Sequence, residues 1–293
     1  MATQTLVDLV DLVVLGALWG ASFLFMRVAA PAFGPVPLIF VRVTIAALLL
    51  LPAMVRQQGL TQARAAAAPL ALVGAINTAI PFTLLAFAAL TLPAGLSSVL
   101  NASVPLFGGV IGFVWLGQRP SRQRTLGLGV GFAGVLVLAW PRLTSANDWR
   151  AVVAALCATV LYALAAHVTQ RSLKGVRPLV VAGGSMAAAS LMLLPLAVVA
   201  WPAAPPAASA WVYAALLGVG CTALAYLLYF RLLARAGPST AMAVTYLIPV
   251  FGVTWGALLL GERLPASAML GAILVLAGVA LATWTPARRG TVR

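Results

Sequence analysis

The sequence predicts an all-α membrane protein whose ten transmembrane helices form two inverted five-helix repeats. The 293-residue chain is 63% hydrophobic and only 8% charged, whereas a soluble domain is about half apolar and roughly 25% charged. Its mean hydropathy is +1.08. Three observations lead to the fold class: the apolar residues form long runs, part of the first half recurs in the second, and the basic residues are concentrated in every other connector, on one side of the membrane.

The apolar runs are about 20 residues long, which is the length at which a helix crosses ~30 Å of hydrocarbon. Ten such runs follow one another, at residues 11–30, 36–55, 69–90, 95–117, 125–140, 150–169, 178–200, 211–233, 240–260 and 267–284. Open strands cannot span lipid, and the runs lack the alternation typical of a barrel, so each is predicted to be a helix. Because Asp8 and Asp11 precede the first run in place of Lys or Arg, we expect a first span and not a signal peptide.

An internal repeat relates the two halves. Residues 105–140 align without a gap with residues 249–284, at a spacing of 144. Thirteen of the 36 aligned positions are identical, where chance gives about four in so biased a composition. Ten spans with this repeat place five in each half, and an odd number inverts the second half relative to the first. The predicted repeats are residues 1–145 and 146–293. Alternating-access transporters have this arrangement, with the substrate site near the midplane between the halves.

The net charge of +14 resides mostly in the connectors between spans. On one side lie 13 basic residues: Arg56, Arg64, Arg119, Arg122, Arg124, Arg171, Lys174, Arg177, Arg231, Arg235, Arg288, Arg289 and Arg293. On the other side lie four: Arg27, Arg142, Arg150 and Arg263. This asymmetry predicts that both termini are cytoplasmic, in a bacterial inner membrane. Nucleic-acid binding is not expected, because no folded basic face exists outside the membrane.

Polar side chains within a membrane are costly unless they face protein or a water-filled cavity. Stripes of polar and aromatic residues at helical spacing occur on spans 1, 3 and 4 and on their repeat partners 6, 8 and 9. Spans 5 and 10 are almost purely Leu, Val, Ala and Gly, and spans 2 and 7 carry scattered polar residues. We therefore predict a central cavity lined by the six striped helices. The predicted substrate-binding residues are Trp19, Ser22, Asn77, Thr78, Asn101, Tyr162, Tyr226 and Tyr246. For each tyrosine, ordinary packing is the alternative.

Three prolines fall inside the predicted spans, where a proline removes a backbone hydrogen bond and can kink a helix. They are Pro81, Pro105 and Pro249, of which the last two are repeat partners. We predict that they are flexing points for gating; static kinks that shape the cavity are the alternative.

The predicted lining offers amide, hydroxyl and aromatic groups, and no predicted span contains a carboxylate. Asp8 and Asp11 are N-terminal, Asp148 lies in a connector and Glu262 at a helix end. Such a lining favours a neutral or zwitterionic cargo with an apolar or aromatic part, which tyrosine and tryptophan rings would stack against.

Two titratable or charged residues within spans bear on mechanism. Proton-driven carriers usually need a buried carboxylate or histidine, and the single histidine, His167, is assigned a structural role. Facilitated diffusion is therefore favoured over proton antiport. Arg42 lies ~9 Å into its helix. We expect Arg42 to snorkel to the outer interface or to pair with helix-end carbonyls, with substrate contact as the alternative.

Specific motifs resemble the EamA family of the drug/metabolite transporter superfamily over essentially the whole chain. The first copy carries Leu18-Trp19-Gly20, Arg27, Arg42, Pro105-Leu-Phe, Leu116-Gly117-Gln118-Arg119, Gly127 and Gly134. The second carries Pro249-Val-Phe, Leu260-Gly261-Glu262-Arg263, Gly271 and Gly278. Gln118 departs from the glutamate usual in the family. The resemblance implies two inverted five-helix repeats and export of small metabolites. The acid-free, tyrosine-rich lining further resembles the YddG-type exporters of aromatic and other neutral amino acids.

The sequence also bears on two other classes of function. A membrane-embedded enzyme would need a nucleophile with a base, paired acids or a metal cluster, for which this sequence offers almost nothing. A non-catalytic accessory subunit is the alternative from another class, and a proton-coupled exporter of another metabolite or drug is the alternative among transporters. We expect no cofactor and no metal. The expected partners are a small-molecule substrate and the lipid bilayer, with the chain acting as a monomer.

Overall fold

The computed structural model describes residues 2–143 and 148–283, which are almost entirely helical. Within this part, ten helices are long and apolar enough to cross a membrane. They are α1 Leu6–Phe33, α2 Pro35–Arg56, α3 Ala67–Ala88, α4 Ala94–Trp115, α5 Arg122–Leu143, α6 Trp149–Ser172, α7 Pro178–Val199, α8 Ala208–Gly237, α9 Thr240–Leu260 and α10 Ala266–Thr283. The predicted fold class is confirmed. Trp284, at the end of the last predicted run, and Arg288, Arg289 and Arg293 lie outside the described residues.

The first span differs from the prediction at its start. The helix that contains α1 begins at Ala2, so Asp8 and Asp11 lie within the helix and within the span. The expectation that no span contains a carboxylate is therefore wrong for α1. Arg231 Nε of α8 donates to Asp11 Oδ2 at 2.8 Å, and Arg235 Nη2 lies 3.3 Å from Asp8 Oδ1. These partners reduce the cost of placing the two carboxylates inside the span.

The internal repeat extends beyond the segment aligned by sequence. A π-helical segment interrupts α3 at Ala75–Ala79, and another interrupts α8 at Val219–Leu224, which begins 144 residues later. The helices before Gly117 and Gly261 both end on a left-handed glycine, with φ of 66° and 64°. Only glycine adopts this conformation without strain. The two halves therefore share irregular features as well as spans.

Close glycine contacts join α5 to α10, which lie beside each other away from the cavity. A Cβ atom at Gly127 would lie 2.4 Å from the Ala282 nitrogen, and one at Gly278 would lie 2.3 Å from the Gly131 Cα. Gly127 and Gly278 each have an identical repeat partner, at Gly271 and Gly134. Because small residues let membrane helices approach closely, the identical glycines are explained by packing.

The remaining eight helices surround the centre. α1 packs along α9, α3 along α6, and α2 along α7, while α4 contacts both α6 and α9. A single large cluster of buried apolar side chains connects these helices. This arrangement leaves a cavity between the two halves.

Candidate substrate cavity

A cavity of about 350 Å³ lies between the repeats, which is within the size range of small-molecule sites. Its lining comes from α1, α2, α3, α4, α6, α8 and α9. Six of the predicted binding residues line it: Trp19, Ser22, Asn77, Asn101, Tyr162 and Tyr226. The fold therefore brings together, from five helices, residues that are up to 207 positions apart in the sequence.

Two predicted residues lie elsewhere. Thr78 is fully buried and does not line the cavity. The Tyr246 hydroxyl hydrogen-bonds to Thr283 of α10 and is likewise outside the lining. Both residues belong to polar stripes, but a stripe wide enough to face a cavity also faces the neighbouring helices.

Several lining residues are outside the predicted binding set, among them Phe82, Tyr229 and Arg42, for which substrate contact is the alternative given above. Phe82 is the repeat counterpart of Tyr226, and Tyr229 follows Tyr226 by three residues on the same helix face. Both could therefore have been found from the repeat and the helical period. For Arg42 neither signal favours binding over snorkelling, since α2 carries no polar stripe.

Aromatic rings form much of the cavity wall. The Trp19 ring centroid lies 6.2 Å from that of Tyr226 and 5.6 Å from that of Tyr229. Across the cavity lining, Phe82 and Tyr162 meet edge to face at 6.2 Å. These separations are those of favourable aromatic pairs. The wall therefore offers fixed ring surfaces for an apolar or aromatic group.

Some polar groups of the lining have no partner. The Ser22 hydroxyl and the Asn101 Oδ1 atom are buried, and neither has a hydrogen-bond partner among the described residues. Buried polar atoms are normally paired, and an unpaired one costs about 1–3 kcal/mol. A bound molecule that hydrogen-bonds to Ser22 and Asn101 would remove this cost.

Arg42 does not reach the outer interface, so the expectation that it snorkels is wrong. Its side chain is buried, with 3% exposure, and lines the cavity. Nε donates to Thr222 Oγ1 at 2.9 Å, and the guanidinium carbon lies 3.9 Å from the centre of the Phe82 ring. The Thr222 hydroxyl in turn donates to the Leu217 carbonyl at 2.7 Å, across the π-helical turn. The irregular turn thus presents an acceptor that retains Arg42 in the interior.

The predicted helix-end carbonyl contacts are made by another arginine. Arg27 of α1 donates to the carbonyl oxygens of Ala89 and Leu90, at 2.8 and 2.7 Å. His167 lies outside the lining, with Nε2 3.1 Å from the Gly108 carbonyl oxygen. No group of three or more histidine, cysteine or acidic side chains suited to a metal occurs in the described parts of the chain.

The three prolines differ in position. Pro105 is the second residue of the helical segment Val104–Leu116, where proline is well tolerated because the backbone N–H would be unpaired in any case. Pro81 lies inside the continuous span α3, two residues after the π-helical segment Ala75–Ala79. Pro249 lies within the helical segment Val244–Leu260. The break in α4 falls at residues 102–103, directly before Pro105, which lines the cavity.

The two ends of the cavity differ. At the end that contains Glu262, its carboxylate accepts hydrogen bonds from the N–H groups of Ala94 and Gly95, at 2.9 and 3.2 Å. A Cβ atom at Gly252 of α9 would lie 2.3 Å from Ser98 Oγ of α4. We call this the Glu262 end, where α4 and α9 are in contact.

At the opposite end, which contains Asp11, the equivalent contact is missing. Gly108 is the repeat partner of Gly252, and a Cβ atom at Gly108 would meet nothing within 4 Å in the described structure. Met242 of the cavity lining is 54% exposed. The α4–α9 contact therefore closes the Glu262 end of the cavity, and no equivalent contact closes the Asp11 end in the described structure.

Two inverted five-helix halves around a cavity that is closed at one end define a membrane transporter. The model of the EamA-like transporter family matches residues 10–140 and residues 149–284, once in each half. The chain belongs to this EamA-like transporter family.

Several known proteins are similar to this chain. A probable terminal-alkyne amino-acid exporter of Streptantibioticus cattleyicolor is 30% identical over 272 residues, covering 90% of this chain and 89% of that protein. The inner membrane transporter YedA of Escherichia coli K12 is 26% identical over 274 residues, covering 91% of this chain and 87% of its own. A crystal structure with 19% identity covers 96% of this chain and 97% of its own, with a TM-score of 0.63; it supports the fold alone.

Proposed function

We propose that this protein exports small zwitterionic metabolites, amino acids with apolar or aromatic side chains, by alternating access through the central cavity. The observation that carries the proposal is the cavity itself, with its aromatic wall and its unpaired Ser22 and Asn101 groups. Aromatic rings suit the apolar part of such a molecule, and the polar groups suit its charged end. The S. cattleyicolor relative, named as a probable amino-acid exporter, supports the same class of cargo.

Inverted repeats supply the second state of the transport cycle. When equivalent helices exchange conformations, the closed end opens and the open end closes. In this proposal the α4–α9 contact at Gly252 is lost and the equivalent contact at Gly108 forms. The excess of basic connectors on the side of the Asp11 end supports a cytoplasmic location for this end and for both termini. The structure then corresponds to the state that receives cytoplasmic cargo.

We further propose facilitated diffusion without proton coupling or catalysis. Each acidic side chain has a partner away from the cavity, and His167 is beside a carbonyl outside the lining. None of these groups is placed to exchange protons with a bound cargo. If a pH gradient drives accumulation against the cargo gradient in proteoliposomes, this part of the proposal is wrong.

Counterflow tests the proposed transport. Proteoliposomes that contain only the purified protein and unlabelled phenylalanine should take up labelled phenylalanine from outside. Tyr226→Ala should reduce the initial rate, because Tyr226 lines the cavity, while Tyr246→Phe serves as the matched control outside the lining. Absence of uptake for every neutral amino acid would refute the proposed cargo class. Loss in the Tyr246→Phe protein, with Tyr226→Ala unaffected, would refute the assigned path.

A further inference from the structure

Arg42 is a positive charge buried in a membrane-spanning helix and facing the cavity. Charged residues in such positions are rare, and they either pair with an opposite charge or act on a substrate or ion. The nature of its counter-charge therefore bears directly on the cargo.

The contacts of Arg42 include no negative group. Nε donates to the neutral Thr222 hydroxyl at 2.9 Å, and Nη1 lies 3.7 Å from the Met26 sulfur, a weak acceptor. The guanidinium stacks on Phe82 at 3.9 Å, which stabilises a cation but does not neutralise it. The remaining guanidinium N–H groups have no acceptor among the described residues.

The four acidic side chains of the chain are all engaged elsewhere. Asp11 and Asp8 pair with Arg231 and Arg235. Asp148 pairs with Arg142 at 2.6 Å, and the Glu262 carboxylate accepts the two backbone N–H groups at the start of α4. No acidic side chain of the protein is left to balance Arg42.

The other half of the molecule folds without this charge. A Cβ atom at Gly218 of α8 would lie 3.0 Å from the Arg42 carbonyl oxygen, and one at the repeat partner Gly74 of α3 would lie 2.7 Å from that of Ser185. Ser185 is therefore the structural counterpart of Arg42. Thr78, the repeat partner of Thr222, accordingly has no arginine partner, and its hydroxyl is buried without a hydrogen bond in the described structure. The equivalent helix contact in the other half therefore forms without an arginine.

We propose that Arg42 binds the carboxylate of the cargo and that the cargo class is organic monocarboxylates with an apolar or aromatic substituent. This inference rests on the proposed function, whose amino acids carry such a carboxylate, and extends it. Because the lining contains no acidic residue, the α-ammonium group meets no opposite charge there; the unpaired Asn101 Oδ1 offers it only a neutral hydrogen bond, so we expect the carboxylate to contribute more to binding than the ammonium group. A cargo carboxylate would accept hydrogen bonds from the Arg42 guanidinium, and the unpaired Ser22 hydroxyl is a second donor in the same lining.

A set of three probes separates the two ends of an amino acid. Phenylalanine carries both charges, 3-phenylpropanoate lacks the ammonium group, and 2-phenylethylamine lacks the carboxylate. Binding to the purified wild-type protein is measured by ligand-induced thermal stabilisation, and competition is measured against labelled phenylalanine in counterflow. We expect phenylalanine and 3-phenylpropanoate to bind with affinities within about tenfold of each other, and 2-phenylethylamine to bind at least about 30-fold more weakly.

The variants Arg42→Gln and Arg42→Lys test the residue itself. Removing one member of a buried charge pair should weaken binding of the two carboxylate probes by at least about 30-fold, while Arg42→Lys should retain part of it. The matched control is Arg56→Gln, the same substitution at the exposed end of the same helix, which should bind as the wild type does. If Arg42→Gln does not fold, the wild-type probe series and Arg42→Lys decide the question.

The outcomes also separate this inference from the proposed function. Binding of 3-phenylpropanoate without binding or exchange of any amino acid would support the role of Arg42 and refute amino-acid export. Exchange of phenylalanine with equal competition by 2-phenylethylamine would support export and overturn the role of Arg42. Unchanged carboxylate binding by Arg42→Gln would overturn it as well, and a wild-type protein that binds none of the probes overturns both proposals.

Discussion

The polar side chains near the cavity are of two kinds: some are hydrogen-bonded within the protein, and others have a buried polar atom without a protein partner. The Thr222 hydroxyl accepts a hydrogen bond from Arg42 and donates one to the Leu217 carbonyl, so it has both an acceptor and a donor contact within the protein. Asn101 and Ser22 face the same cavity, and each has a buried polar atom without a partner in the described structure. Substitutions of the two kinds should therefore affect different measurements.

Thr222→Val should destabilise the protein, and Asn101→Ala should not. The valine variant leaves buried groups of Arg42 and Leu217 without partners, at a cost of about 1–3 kcal/mol. Asn101→Ala loses no internal bond at Oδ1, so it should instead weaken cargo binding. Thermal unfolding in detergent and ligand titration measure the two effects. The reverse result, with Asn101→Ala the less stable variant and its cargo binding unchanged, would contradict the assignment of Thr222 to structure and Asn101 to binding.

The aromatic wall leads to a second prediction at this scale. Trp19→Ala should weaken phenylalanine binding by up to about tenfold, because an aromatic pair contributes about 0.5–1.5 kcal/mol. Trp149→Ala is the matched control, since Trp149 lies at the exposed start of α6. Equal effects of the two substitutions would show that Trp19 is a packing residue without a role in binding.

Among the helices, the decisive pair is α4 and α9, because their two repeat-related contacts are in different states. Gly252 presses against Ser98, while Gly108 faces open space. A larger side chain is therefore incompatible with this structure at one position and compatible with it at the other. The same two glycines should exchange roles in the opposite state.

Gly252→Val should favour the state in which the Glu262 end is open, whereas Gly108→Val should favour the present one. A cysteine at position 242, which lines the accessible end, reports the change in a background without Cys157 and Cys221. Its labelling by a polar thiol reagent should fall in Gly252→Val and should be retained in Gly108→Val. Equal labelling in the two variants would contradict the assignment of open and closed ends.

For the molecule as a whole, the sequence predicts the scaffold better than the site. The runs of apolar residues and the glycines at 127 and 271 follow from membrane thickness and helix packing, which act locally or along one pair of helices. Tyr226 and Asn101 could be predicted because helical period and repeat comparison place them on facing helices. Both signals are present in the sequence itself.

What the sequence does not predict depends on contacts between distant segments. Arg42 remains inside the protein because a π-helical turn 180 residues away presents the Thr222 oxygen to it. Asp11 lies within a span because Arg231 of α8 reaches it. Which end of the cavity is closed cannot be predicted from the sequence either, because the repeat is compatible with closure at either end. Hydropathy reports the cost of placing a charged side chain in the membrane, but it does not identify the distant residue whose contact reduces that cost.

The most direct test of the central claim is whether blocking the cavity stops transport. Asn101→Cys introduces a thiol into the lining, and Leu48→Cys introduces one on the exposed apolar face of α2 as a control. Phenylalanine counterflow is measured in proteoliposomes before and after alkylation, with Cys157 and Cys221 replaced. The account predicts that alkylation abolishes exchange by Asn101→Cys and leaves exchange by Leu48→Cys intact. Undiminished exchange by fully alkylated Asn101→Cys would contradict it.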